Sequence, residues 1–207
     1  MKKKIGILLF LGLLGSGAFA DVMLSANFGG IYETMVFDDL SVAEVKGLDY
    51  GLNCLVVNDS DFAMRFNFAV PVTNVGAGVI VTAGIGKAIY QNEKFFSVLT
   101  SCVGFNYFEK VGTEYEEEIS GYTYGFKDTN HLPSFKVGVD FTNVYMLNKL
   151  SGFIFNLGAY YDIGAFVQNV HCLTSYGGSS ISDSESSHFL HAFSISPSFG
   201  FCMKFGS

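Results

Sequence analysis

Residues 153–167 alternate with a period of two. Odd positions read Phe153, Phe155, Leu157, Ala159, Tyr161, Ile163, Ala165 and Val167; even positions read Ile154, Asn156, Gly158, Tyr160, Asp162, Gly164 and Phe166. One side is wholly apolar and the other mixes small, polar and aromatic residues, which is how a β-strand between two different surroundings reads. The pattern recurs: Val22, Leu24, Ala26, Phe28 and Tyr32 oppose Ser25, Asn27, Gly29 and Glu33. Leu48, Tyr50, Leu52, Cys54 and Val56 oppose Gly47, Asp49, Gly51 and Asn53, and Phe62, Met64, Phe66, Phe68 and Val70 oppose Ala63, Arg65, Asn67 and Ala69. Phe135, Val137, Val139 and Phe141 oppose Lys136, Gly138, Asp140 and Thr142; the last segment sets Phe189, Phe193, Ile195, Phe199, Phe201, Met203 and Phe205 against Ser194, Ser196, Ser198, Gly200 and Lys204. Residues 79–90, where Lys87 shares the apolar parity, and 95–108 are less regular. About eight strands of roughly 10–13 residues are expected, close to the ~9–11 that cross a bilayer at a tilt.

The outward face decides between two eight-stranded solutions. A secreted soluble barrel of lipocalin type hides its apolar face and turns charge to water. Here only 15% of residues are charged, against roughly 25% in an ordinary soluble domain, while 49% are hydrophobic and Phe alone numbers 22. The polar face is rich in Gly, Ala, Ser and Asn, which fit the crowded inside of a narrow barrel. Rows of Phe are a hazard in water but suit lipid. The expected fold is therefore an all-β, antiparallel up-and-down transmembrane β-barrel over residues 21–207, with a soluble ligand-binding barrel as the alternative. Asp49, Arg65, Lys136, Asp140 and Asp162 then point into the lumen. Opposite charges there can pair, Arg65 with Asp49 or Asp140, whereas isolated ones are costly. Tyr32, Tyr50 and Tyr107 are expected near one rim and Tyr90 and Tyr145 near the other, as aromatic girdles.

Residues 1–20 read as a signal peptide. Lys2, Lys3 and Lys4 precede an apolar stretch too short to span a bilayer, and small residues ending at Ala20 suit a signal peptidase. Without the leader, nine basic residues face 19 acidic ones, a balance that excludes a nucleic-acid binder relying on a basic footprint. Connections alternate in length: tight turns at 58–61, 91–94 and 148–151, and long loops at 35–46, 111–133 and 171–187. The link at 73–77 is short, and the third and fourth strands are expected to run into one outward hairpin.

Little chemistry is indicated. Cys54, Cys102, Cys172 and Cys202 are too far apart for a CxxC motif and read as small thiols; no disulfide is assigned. His171, His188 and His191, with Asp183 and Glu185, are candidate ligands, but His188 and His191 fall on opposite faces of a strand. Ser187, His188 and Glu185 match the residue types of a hydrolase, in a stretch crowded with Ser. Glu114, Glu116, Glu117 and Glu118 form an acidic run read as a solvated loop. No catalytic residue, metal or cofactor is expected.

Phe199, Phe201, Met203 and Phe205 resemble the C-terminal signature of outer-membrane β-barrel proteins, in which a terminal aromatic is read by the barrel-assembly machinery. Gly206 and Ser207 depart from it by following the last Phe, and Pro197 suggests a bulge. The exported chain resembles the small eight-stranded OmpX/OmpW and opacity-type proteins. Its leader and Phe/Gly-rich strands also resemble the treponemal small outer-membrane barrels of unknown function. The resemblance implies a surface-exposed, monomeric protein of the cell outer membrane, in contact with lipid and the assembly machinery. Its loops are expected to serve envelope or host interaction around a lumen largely filled by side chains. A narrow OmpW-like channel for small apolar solutes is the alternative.

Overall fold

The computed structural model describes residues 21–119, 122–175 and 179–206; the expected leader lies outside them. The alternation is realised as β1 (Asp21–Phe37), β2 (Val42–Val57), β3 (Phe62–Thr73), β4 (Gly76–Gln91), β5 (Phe95–Ile119), β6 (Tyr122–Met146), β7 (Ser151–Ser175) and β8 (Ser179–Gly206). Each strand pairs antiparallel with the next, and β8 pairs back on β1 to close an eight-stranded barrel. Followed once around the ring from Glu33 through Ser194, Tyr160, Gly138, Cys102, Gly84, Arg65 and Leu55, the register returns to β1 at Met23, ten residues below its start. That stagger tilts the strands and sets which inward side chains share a level.

The turns at the end holding Asp21 and Gly206 share one device. Asn58, Asn92 and Asn148 each accept two backbone N–H bonds on Oδ1, from Ser60 and Phe62, from Lys94 and Phe95, and from Leu150 and Ser151, at 2.8–3.0 Å. A side chain that mimics the backbone in this way fixes a tight reversal.

The three prolines, Pro71, Pro133 and Pro197, each leave a two-rung gap in one ladder, between β3 and β4, β6 and β7, and β8 and β1. Proline has no N–H to donate. Register is the same on both sides of each gap, so the bulge expected at Pro197 is absent. Register shifts lie instead between Ala88 and Tyr90 and between Val111 and Glu114.

Strand length, loop extent, the rim placement of Tyr50 and the hairpin at 73–77 all need correction. β5 to β8 run 25 to 28 residues, not 10–13. The expected loops at 111–133 and 171–187 are largely paired strand, with Ile119 opposite Tyr122 and Ser175 opposite Ser179. Of the third, only residues 38–41 lie outside strands. The reason is environmental: where both faces of a hairpin meet water, hydrophobic alternation vanishes although backbone pairing continues. Tyr50 accordingly sits mid-strand, its ring 5.3 Å from that of Phe28. The link at 73–77 closes as a tight hairpin around Asn74 and Val75 and does not project.

Inside, the barrel is layered. Met23, Leu55, Val57, Phe96, Val98, Val144, Met146 and Ile154 form an apolar cluster toward the turn end. Ile31, Met35, Val45, Ile80, Phe108, Leu132 and Leu190 form another toward the opposite end. Polar side chains fill the level between. Outside, Leu52, Phe68, Val81, Phe105, Phe135, Phe155, Phe193 and Phe199 are exposed, and Lys87 shares their outward parity near the turn-end rim.

Candidate functional site

The five inward charges are all buried, and closure brings four of them together. Arg65 of β3 pairs through Nη1 with Asp140 Oδ2 of β6, across the lumen. The same carboxylate accepts from the Tyr160 hydroxyl and, at 2.9 Å, from Cys102 Sγ. One level away, Lys136 Nζ stands 2.9 Å from Asp162 Oδ2 and 2.8 Å from Ser194 Oγ, and Ser194 donates to Asp162 at 3.1 Å. Tyr160 joins the two groups: its hydroxyl serves Asp140, and Lys136 Nζ lies 4.4 Å from its ring centroid, a cation–π contact. Asp49 stands apart. It faces Gly29 and Pro71 across its ladders, and Arg65 takes Asp140 of the two carboxylates weighed for it.

Parity puts Glu33 and Tyr160 on the mixed face, with nothing in the sequence to set either apart from its neighbours. Glu33 is 0% exposed, and neither of its carboxylate oxygens has a hydrogen-bond partner among the described residues. Its place on the Ser25, Asn27, Gly29 row was the available signal.

Gly158 keeps room for this network. A Cβ there would stand 2.6 Å from the Tyr160 hydroxyl and 2.7 Å from Asp140 Oδ1. A Gly158→Val barrel is expected to lose about 1–3 kcal/mol, the cost of overpacking a filled interior, measured by urea unfolding from lipid vesicles. An unchanged midpoint would show that the network has slack.

Beyond the level of Glu109 and Leu190, β5 to β8 continue as a four-stranded sheet with no neighbour at either edge among the described residues. The β4 ladder on β5 ends at Ala77 opposite Glu109, and the β1 ladder on β8 ends at Phe37 opposite Leu190. Residues 110–119 of β5 and 179–188 of β8 are therefore free edges. The acidic run lies on the first of these, with Glu114, Glu116, Glu117 and Glu118 all exposed. Glu114 Oε2 is 3.5 Å from Lys127 Nζ of β6.

The described histidine side chains do not converge. His188 Nδ1 is 3.1 Å from Asp38 Oδ1 in the β1–β2 turn, while His191 Nδ1 is 2.5 Å from the Tyr161 hydroxyl on the other face. The side chains of His171 and Asp183 lie outside the described residues, and Glu185 and Ser187 are exposed. An outward pair that the sequence did not suggest is Tyr107 and His131, with the hydroxyl 2.7 Å from Nδ1. At the same rim the Lys46 ammonium, 2.5 Å from Glu44, and the Tyr32 hydroxyl hold the Glu44 carboxylate below its usual range. Among the described residues no three His, Cys, Asp or Glu side chains are grouped to hold a metal ion. Cys54, Cys102, Cys172 and Cys202 are free thiols. Phe199, Phe201, Met203 and Phe205 all face outward on β8, the strand that closes the ring.

No family model matches the chain, and no curated protein matches it. Among solved structures it is similar to the outer membrane protease OmpT from Escherichia coli, at 6% identity over 92% of this chain and 98% of that one, with a TM-score of 0.38. It is also similar to the outer membrane protein OprG from Pseudomonas aeruginosa, at 11% identity over 92% and 98% of the two chains, with a TM-score of 0.39. The likeness is one of fold alone.

Proposed function

We propose that the chain is an outer-membrane barrel that works at its outer surface, through the sheet projecting from β5 to β8, and that its lumen is closed to solutes. The projecting sheet carries this reading: four strands continue together about ten residues beyond their neighbours, with acidic side chains exposed along one edge. Three observations support the rest. The outward face is a continuous apolar surface and the ionised side chains of the strands are turned inward, the reverse of a soluble barrel. The polar level lies between two apolar layers, which leaves ions no hydrated path. Four of the buried charges in that level are tied into two ion pairs, Arg65 with Asp140 and Lys136 with Asp162.

Two measurements test the reading. In planar bilayers the folded protein is expected to be silent; clear single-channel steps would overturn the closed lumen and favour a narrow channel for small solutes. Protease added to intact cells is expected to cut within residues 110–132 or 166–188 and to leave a heat-modifiable barrel on gels. Complete protection of those segments would remove the outer-surface role.

A further inference from the structure

The free edge of β5 differs from that of β8 in charge. β5 changes parity at the register shift between Val111 and Glu114. Below it, Glu109 faces outward opposite His131; above it, Glu114, Glu116 and Glu118 come to the same outward side, opposite Lys127, Gly125 and Thr123. Residues 179–188 on β8 carry two acids, Asp183 and Glu185, spaced among Ser, whereas residues 110–119 of β5 carry four Glu within five positions and Lys110 at the base.

We propose that residues 110–119 of β5 take up, by strand addition, an extended segment carrying Lys or Arg at alternate positions. This rests on the outer-surface role above and names the chemistry of its partner. An unpaired edge offers a row of backbone N–H and C=O groups to any extended chain, so selectivity must come from side chains. Directly opposite residues in a ladder bring their Cβ atoms to about 4.5–5.5 Å, where opposite charges attract and like charges repel. Pairing with the same edge of a second copy would bring Glu114, Glu116 and Glu118 near their own counterparts, and pairing with the β8 edge would offer them no cation but His188; both are disfavoured against a basic segment. A strand with Lys or Arg at every second position would set a cation against Glu114, Glu116 and Glu118 in turn. The protein already contains one such pair on the other side of β5, in Glu114 with Lys127 across the β5–β6 ladder. The attraction acts between exposed groups and weakens as salt is raised.

The test uses the full chain folded in detergent and a ten-residue peptide alternating Lys and Thr. Its controls are the same peptide N-methylated at every second residue and a peptide alternating Glu and Thr. The first peptide is expected to bind saturably. N-methylation, which keeps the charge but removes ladder donors, is expected to abolish binding, as is replacing Lys by Glu. In an E114Q/E116Q/E118Q variant the Kd is expected to rise about tenfold, three exposed cross-strand pairs being lost. Those side chains are exposed, so the variant should retain heat-modifiable migration. Equal binding of the methylated and unmethylated peptides, an unchanged Kd in the variant, or no saturable binding would overturn the proposal. The outer-surface role fails on separate readouts, channel steps and protease protection, so the two failures are distinguishable.

Discussion

Replacing Arg65 by Met is expected to destabilise the barrel by about 3–5 kcal/mol, read as a lower urea midpoint for unfolding from lipid vesicles. The size follows from what remains. Arg65 is 4% exposed and Asp140 1% exposed, so the variant leaves a buried carboxylate whose one ionic partner has gone. Tyr160 and Cys102 still donate to it, but two neutral donors do not offset an uncompensated charge in a water-poor lumen. Met restores most of the lost volume, so packing alone does not account for a deficit of this size.

The second variant makes the test discriminating. R65M/D140N removes both charges while keeping a side chain that can accept from Tyr160. It is expected to recover more than half of the loss, because breaking a buried pair costs far more than replacing it. A single-variant loss below about 1 kcal/mol would mean that Tyr160 and Cys102 suffice to hold Asp140 without Arg65. A double variant as weak as the single one would place the effect in packing instead of charge.

This pair also marks the limit of what the sequence makes legible. Parity alone sends Arg65, Asp140, Lys136, Asp162 and Asp49 inward, because each sits on the mixed side of an alternating segment. It does not say which meet. β3 and β6 are not neighbours, so no ladder relates Arg65 to Asp140; only the closed ring with its ten-residue stagger brings them level. Lys136 and Asp162 face each other across the β6–β7 ladder, yet even this pairing needs a register that a sequence of near-uniform alternation leaves open. Glu33 shares the inward row of Ser25 and Asn27, but parity does not say which inward carboxylate lacks a partner. The projecting sheet was hidden for another reason. Residues 112–128 place Glu, Tyr and Gly at both parities, and a strand bathed on both faces carries no hydrophobic period to detect. Pro197 misled in the opposite direction: a missing N–H breaks two rungs without shifting the register.

Leu52→Arg is expected to cost about 2–4 kcal/mol in a bilayer, whereas Val72→Arg should cost about 0–1. Both side chains face outward, at 64% and 56% exposure, so solvent accessibility does not separate them. Depth does. Leu52 lies mid-strand on β2, between Ala26 of β1 and Phe68 of β3, in the middle of the apolar belt. Val72 is one residue from the end of β3, beside the Asn74 turn, where a long cation reaches the head groups. The native chain already places a cation at such a level, since Lys87 faces outward opposite Phe62 near the turn-end rim. Stability measured by urea in vesicles should therefore fall sharply for the first variant and little for the second. In water the order reverses: for a soluble barrel, Leu52→Arg would cover an apolar patch and improve solubility without detergent. Equal, small effects at both depths would remove the belt from lipid and with it the membrane assignment.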